Sequence, residues 1–90
     1  MSTQPVSIMP KLPRAGGEKH IAAFKRAGWT ENHIEGSHHI LIKEGVQVHL
    51  SIPVHKGRDL GLGLLRKLID KSGMTPEDYC LHFSRKHKRG

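Results

Sequence analysis

The stretch VQVHLSI at residues 46–52 constrains the fold more than any other part of the chain. Apolar side chains alternate there with polar ones, and successive side chains of a β-strand point to opposite faces of a sheet. The stretch therefore predicts a strand with one buried face. The apolar run HHILIK at residues 38–43 predicts a second strand, and the short Glu44-Gly45 turn between the two predicts an antiparallel hairpin.

Helical spacing replaces this alternation on both sides of the hairpin. Residues 18–27 have an amphipathic helical pattern, and Gly28 follows where a helix commonly ends. A second helix is predicted over residues 60–72, and the phrase TPED at 75–78 has the capping pattern that opens a short third helix. The polar stretch 29–36 has room for one further strand.

This order predicts an α+β fold made of a helix, two or three antiparallel strands, a second helix and a short C-terminal helix. Residues 17–83 contain these elements and form one domain. Residues 1–16 contain three prolines and end in glycine, which predicts a flexible N-terminal arm. Residues 84–90 read as a basic C-terminal tail.

Fifteen Lys and Arg residues against eight Asp and Glu residues give the chain a formal net charge of +7. That charge favours a polyanionic partner such as nucleic acid, although it equally fits a small basic protein that binds none. A single cysteine allows no intrachain disulfide, which favours the reducing cytoplasm as the location. No apolar run approaches the roughly 20 residues that span a bilayer, so we expect no membrane partner.

Two adjacent histidines, His38 and His39, stand at the start of the second predicted strand. Neighbouring strand residues point to opposite faces, so a joint metal site is awkward, and we expect neither a metal nor another cofactor. If Ile40 and Ile42 face the helices, His38 shares their face, and His39 looks outward with Lys43. The alternation then favours His39 as the histidine that reaches a substrate. A solvated strand start without any chemistry stays open as the alternative.

Six phrases in fixed order resemble the HicA family of mRNA interferase toxins, also called the YcfA-like family. They are MPKLPRAGGEKH at 9–20, AGW at 27–29, GSHH at 36–39, IPVH at 52–55, LRKLI at 65–69 and TPED at 75–78. No single phrase is specific. The set as a whole covers nearly the entire chain in the right order and with almost no gaps.

The resemblance implies a fold similar to a double-stranded RNA-binding domain. It also implies an endoribonuclease that cleaves mRNA, acts as the toxin of a toxin-antitoxin system and is neutralised by a HicB-like antitoxin. Such cleavage can proceed without a metal when a histidine acts as general acid or base. A non-catalytic RNA-binding module of the same fold is the alternative.

By the family motif, His38 of the Gly-Ser-His phrase is the catalytic candidate, and His39 is its rival. The substrate-binding candidates are the two turn residues and the basic side chains expected near them, namely Gly36, Ser37, Lys43, His55, Lys56, Arg58 and Arg66.

Overall fold

The computed structural model describes residues 11–84, and its elements follow the predicted order. The elements are α1 Gly17–Arg26, β1 Thr30–Glu35, β2 His38–Ile42, β3 Leu50–Pro53, α2 Leu62–Ser72 and α3 Pro76–Ser84. The predicted α+β class, with an antiparallel sheet between helices and a short final helix, is confirmed. Residues 1–10 of the predicted arm and residues 85–90 of the predicted tail lie outside the described residues.

Two glycines and one threonine set the helix boundaries. Gly28 follows α1 with a φ of 105°, after which Trp29 turns back into the core with 3% of its surface exposed. Gly73 ends α2 with a φ of 83°. The Thr75 hydroxyl accepts the backbone N–H of Asp78 at 3.1 Å and so caps the start of α3. Among residues 11–84, no helix has the length and apolar content that crossing a bilayer requires.

The third strand is shorter than the alternation predicted, because it begins at Leu50 and not at residue 46. The predicted tight turn is present, with the Val46 N–H bonded to the Lys43 carbonyl at 3.0 Å, but β2 has already ended before it. Val46 and Val48 are 36% and 40% exposed. The alternating pattern predicted too long a strand, because the alternation continues through residues that neither pair with β2 nor lie beneath the helices.

The helices cover one face of the sheet. The fully buried side chains that join the two layers are Phe24, Leu41, Leu50, Ile52, Leu65, Ile69 and Tyr79. Leu41 is thus the β2 side chain that faces the helices, and alternation puts His39 on its side and His38, Ile40 and Ile42 on the opposite side, called the open face below. The expectation that Ile40 and Ile42 face the helices is wrong. Ile42 is 42% exposed, and Ile40, although only 7% exposed, is not part of the buried cluster that packs against the helices.

A β-bulge at Asn32 determines which side chains of β1 reach the open face. The pairing of β1 with β2 shifts between Glu31 and His33, so Asn32 is the extra residue. Directly opposed residues of paired strands share a face. His33 and Glu35 are opposed to open-face residues of β2 and lie on that face, whereas Glu31 lies on the helix-covered face.

Part of the predicted arm, residues 11–16, lies against the domain. The Ala15 carbonyl accepts the Leu60 N–H at 2.7 Å, and Gly16 forms an isolated antiparallel bridge with Asp59. These bonds connect the start of α1 to the segment that leads into α2.

One imidazole is buried between α1 and α3. His20 is fully buried, its Nδ1 lies 2.5 Å from the Tyr79 hydroxyl oxygen, and its ring centroid lies 5.2 Å from that of Phe83. Burial lowers the pKa of His20 from 6.5 to about 4, and the carboxylate of Asp59 opposes this shift. Burial also raises the pKa of the Tyr79 hydroxyl above its usual value. The fold therefore requires the neutral imidazole.

We predict that the free energy of unfolding falls as the pH is lowered from 6.5 towards 4, because the unfolded chain protonates His20 and the folded chain does not. The folded-state pKa is depressed, so the stabilisation is complete above the unfolded pKa and is lost below it. The gap between these two pKa values corresponds to a loss of about 3 kcal/mol at pH 4.

Urea unfolding at several pH values measures this loss. In His20→Gln the fall over the same pH interval should be smaller by about that amount, while His55→Gln, which removes an exposed histidine, should follow the parent chain. An equal fall in the parent chain and in His20→Gln would contradict the prediction.

Candidate active site on the open face of the sheet

The turn between β1 and β2 holds the Gly-Ser-His phrase in a fixed conformation. Gly36 has a φ of 61°, a left-handed conformation that costs a residue with a side chain about 1–2 kcal/mol. The Ser37 carbonyl accepts the backbone N–H of Val54 at 2.8 Å. The turn is thereby tied to the residue that follows β3, and His38 begins β2 directly beside it.

His38 is exposed on the open face, at the end of the sheet where the turn lies. Its cross-strand neighbours are Glu35 on β1 and Pro53 on β3. An exposed imidazole at this place can take a proton from a bound molecule or give one to it.

Two side chains of β1 lie beside His38 on the open face, and neither was predicted from the sequence. The His33 Nε2–H donates to Glu35 Oε2 at 2.7 Å, and the Asn32 side-chain nitrogen donates to His33 Nδ1 at 2.8 Å. A signal was present, because residues two apart on a strand share a face and a two-residue turn sets Glu35 opposite His38. His33 and Glu35 could therefore have been found from their spacing before the turn.

His39 faces the other way and belongs to an ion-pair network on the helix-covered face. Its Nδ1–H donates to Glu31 Oε2 at 2.6 Å, and Lys25 Nζ of α1 lies 3.4 Å from Glu31 Oε1. The hydrogen bond from His39 and the ammonium of Lys25 hold the pKa of the Glu31 carboxyl below its usual value. The His39 side chain is 20% exposed, so the network joins α1 to the sheet and leaves this histidine little access to a large molecule.

Lys43 also lies on the helix-covered face, and the expectation that it looks outward is wrong. Its Nζ donates to the Ala27 carbonyl at 3.2 Å, and its stem lies beside Gly28. A cation at this place satisfies a free carbonyl at the C-terminal end of α1 and opposes the helix dipole. Lys43 therefore contacts the end of α1, at the opposite end of β2 from His38.

The loop between β3 and α2 carries basic side chains next to the turn. His55, Lys56 and Arg58 are all exposed, and the Arg58 N–H bonds the His55 carbonyl at 3.0 Å within this loop. The bond between Val54 and Ser37 places the beginning of the loop against the Gly-Ser-His turn. The turn and the basic loop thus form one continuous surface.

An open groove of about 730 Å³ separates this loop from the start of α1. Gly17 permits the close approach of the two walls, because a Cβ there would collide with the Pro53 carbonyl oxygen. Lys19 adds a further basic side chain to the groove, whereas Glu18 and Asp59 are its acidic residues. The N-terminus of a helix carries partial positive charge, so the groove suits an anion such as phosphate.

Arg66 is exposed on α2 and is not part of the lining of this groove. Within residues 11–84, no group of three His, Cys, Asp or Glu side chains is arranged as metal ligands would be. The turn and the β3–α2 loop are thus brought together, while His39, Lys43 and Arg66 lie outside the surface that they form.

Comparison with protein families places the chain in a known class, the toxins of bacterial toxin-antitoxin systems. A family model described as "HicA toxin of bacterial toxin-antitoxin" matches residues 17–74, which run from the start of α1 to just past α2. The matched region is more than half of the 90 residues, and the chain belongs to the HicA toxin family. The resemblance noted in the sequence is confirmed. Comparison with curated proteins and with solved structures gave no match.

Proposed function

We propose that this chain is an endoribonuclease that cleaves mRNA without a metal ion, and that this activity is the basis of its role as a toxin. The observation that best supports the proposal is the position of His38, exposed on the open face and adjacent to the basic loop. Membership of the HicA toxin family supports the biological role. If mRNA is the substrate, the toxin acts in the cytoplasm, because that is where mRNA is translated.

Cleavage of RNA requires three kinds of group. A base removes the proton of a ribose 2′-hydroxyl, and the 2′-oxygen then attacks the adjacent phosphorus. An acid protonates the departing 5′-oxygen, and cations stabilise the charge that develops on the phosphoryl oxygens. His38 supplies general acid or base catalysis, a contribution of about 10²–10⁴-fold. Lys56 and Arg58 supply the positive charge from the adjoining loop.

His38 is preferred to His39 on two independent grounds. The family phrase Gly-Ser-His ends at His38, and His38 is on the face that a polymer can reach. His39 was favoured only if Ile40 and Ile42 faced the helices. They lie on the open face, so the pattern and the motif agree on His38.

We predict that His38→Ala lowers the rate of RNA cleavage by about 10²–10⁴-fold, because the variant lacks the proton-transfer group. The measurement is the cleavage rate of an RNA oligonucleotide by the purified protein in the presence of EDTA. His39→Ala is the matched control and should retain most of the activity while losing some stability, since it breaks the bond to Glu31.

Cleavage that His38→Ala leaves unchanged would contradict the proposed role of this residue. Tight RNA binding without cleavage by the parent chain would contradict the enzyme and support the alternative, a non-catalytic RNA-binding module.

We also propose that the RNA backbone follows the groove between the β3–α2 loop and α1, with Gly36 and Ser37 at its edge. Replacing Lys56 and Arg58 by Gln should weaken RNA binding and lower the slope of log K against log salt by about 1.4, since each phosphate contact with single strands contributes about 0.7. The matched control is Lys67 and Lys71 of α2, both exposed, replaced by Gln. A larger change of slope in the control would place the RNA on α2.

A HicB-like antitoxin is the proposed protein partner, and we propose that it silences the toxin by covering the open face. Adding such an antitoxin should stop RNA cleavage and should slow amide hydrogen exchange in residues 33–40 more than in α2. The His38→Ala variant should still bind the antitoxin. Protection restricted to α2 and α3 would contradict masking of the open face.

A further inference from the structure

We propose that His33 is a second catalytic residue, the general acid that works with His38, and that Glu35 is the residue that positions it. This inference rests on the proposed ribonuclease function and assigns a role that the Gly-Ser-His phrase leaves unfilled. One imidazole cannot take the proton of the 2′-hydroxyl and protonate the 5′-oxygen in the same step. A second proton carrier on the same face removes that difficulty.

The register of the sheet places His33 and His38 on opposite sides of one potential phosphodiester position. Glu35 is directly opposite His38, and His33 is two residues further along β1, opposite Ile40. Cβ atoms of directly opposed residues are about 4.5–5.5 Å apart, and diagonal neighbours are about 7–8 Å apart. The diagonal spacing lets two imidazole rings flank one phosphate while both stay in reach of it.

The two-residue turn sets His33 on the same face as His38, and the β-bulge interrupts the alternation of β1 just before His33. Glu31 precedes the bulge and faces the helices, whereas His33 follows it and faces outward. With uninterrupted alternation back from the turn, Glu31 would face outward beside His33 and could not bond His39. The bulge at Asn32 therefore keeps the Glu31 carboxylate on the helix-covered face and away from the two histidines.

Hydrogen bonds orient the His33 ring for this role. Its Nε2–H donates to Glu35 Oε2 at 2.7 Å, which leaves Nδ1 as the atom that exchanges a proton with a bound molecule. Nδ1 accepts the Asn32 side-chain N–H at 2.8 Å, an exposed contact that a substrate oxygen can replace. When the ring is protonated, the Glu35 carboxylate stabilises its charge across the Nε2 bond.

Cleavage then involves one proton transfer at each histidine. The 2′-hydroxyl gives its proton to His38, and a bond forms between the 2′-oxygen and phosphorus. The bond between phosphorus and the 5′-oxygen breaks, and the Nδ1 proton of His33 passes to the 5′-oxygen. The products are a 2′,3′-cyclic phosphate and a 5′-hydroxyl, and exchange with water returns each imidazole to its starting state.

Among residues 11–84, the paired strands place two titratable groups beside His33 on the open face. Glu35 on its own strand and His38 on β2 share the open face with it. On β3, the residues opposed to the open-face residues of β2 are Ser51 and Pro53, and neither side chain ionises near neutral pH.

The test compares two RNA oligonucleotides, one ordinary and one in which sulfur replaces the 5′-bridging oxygen at the cleavage position. A thiolate leaves without being protonated, so only the ordinary substrate requires the general acid. His33→Gln should cleave the ordinary RNA about 10²-fold or more slowly and the sulfur-containing RNA within about 10-fold of the parent rate. His38→Ala should be slow on both substrates.

The pH dependence supplies a second readout. The parent chain should give a bell-shaped profile on ordinary RNA, and His33→Gln should lose the alkaline limb, because that limb reports the acid. Glu35→Gln should retain the limb but cleave ordinary RNA more slowly, because the bond that orients the His33 ring is weakened. His49→Gln and Glu44→Gln are the matched controls, exposed in the loop at the opposite end of β2, and should leave both readouts unchanged.

Each outcome separates this inference from the proposed function. If the parent chain cleaves neither substrate, the ribonuclease function itself fails. If the parent chain cleaves RNA in a His38-dependent manner and His33→Gln behaves like the parent, only the role of His33 is overturned. Equal losses by His33→Gln on both substrates would also overturn it, because a purely structural defect does not depend on the leaving group.

Discussion

Burial of Leu41, Leu50 and Ile52 beneath the helices is the constraint on which the rest of the structure depends. Each such side chain is stabilised by about 1.5–3 kcal/mol when it is removed from water. A slip of β3 by one residue would expose Leu50 and Ile52 and turn Ser51 inward, at a loss of several kcal/mol. This apolar face therefore decides which histidine is covered and which is free.

The order of elements could be predicted from the sequence because each boundary has a local cause. Gly28 and Gly73 adopt left-handed conformations after helices, and Thr75 caps the last helix. The face of β2 could not be predicted, because HHILI offers apolar residues to both faces and only contact with the helices distinguishes Leu41 from Ile40. The predicted start of β3 was wrong for a related reason, because the alternation of apolar and polar residues begins before the paired strand does.

The candidate site likewise contains residues that could be predicted from the sequence and residues that could not. The turn residues and His38 were predicted from the phrase that they form, because a local turn fixes their relative positions. The bulge on β1 is an irregular pairing with no marker in the sequence, so the position of Glu31 relative to β2 emerges only from the fold. Two similar histidine–carboxylate pairs result. His39 with Glu31 faces the helices and joins α1 to the sheet, whereas the other pair faces outward.

The loop that carries Lys56 and Arg58 is held at both ends. Its beginning is bonded to Ser37, and the segment after it is bonded to Ala15 at Leu60. A loop anchored in this way has already lost much of its backbone freedom before any ligand arrives. Binding then demands less ordering, so more of the attraction between the basic side chains and a polyanion remains as affinity. The contacts of Ala15 and Gly16 with Leu60 and Asp59 thus help to preorganise the loop.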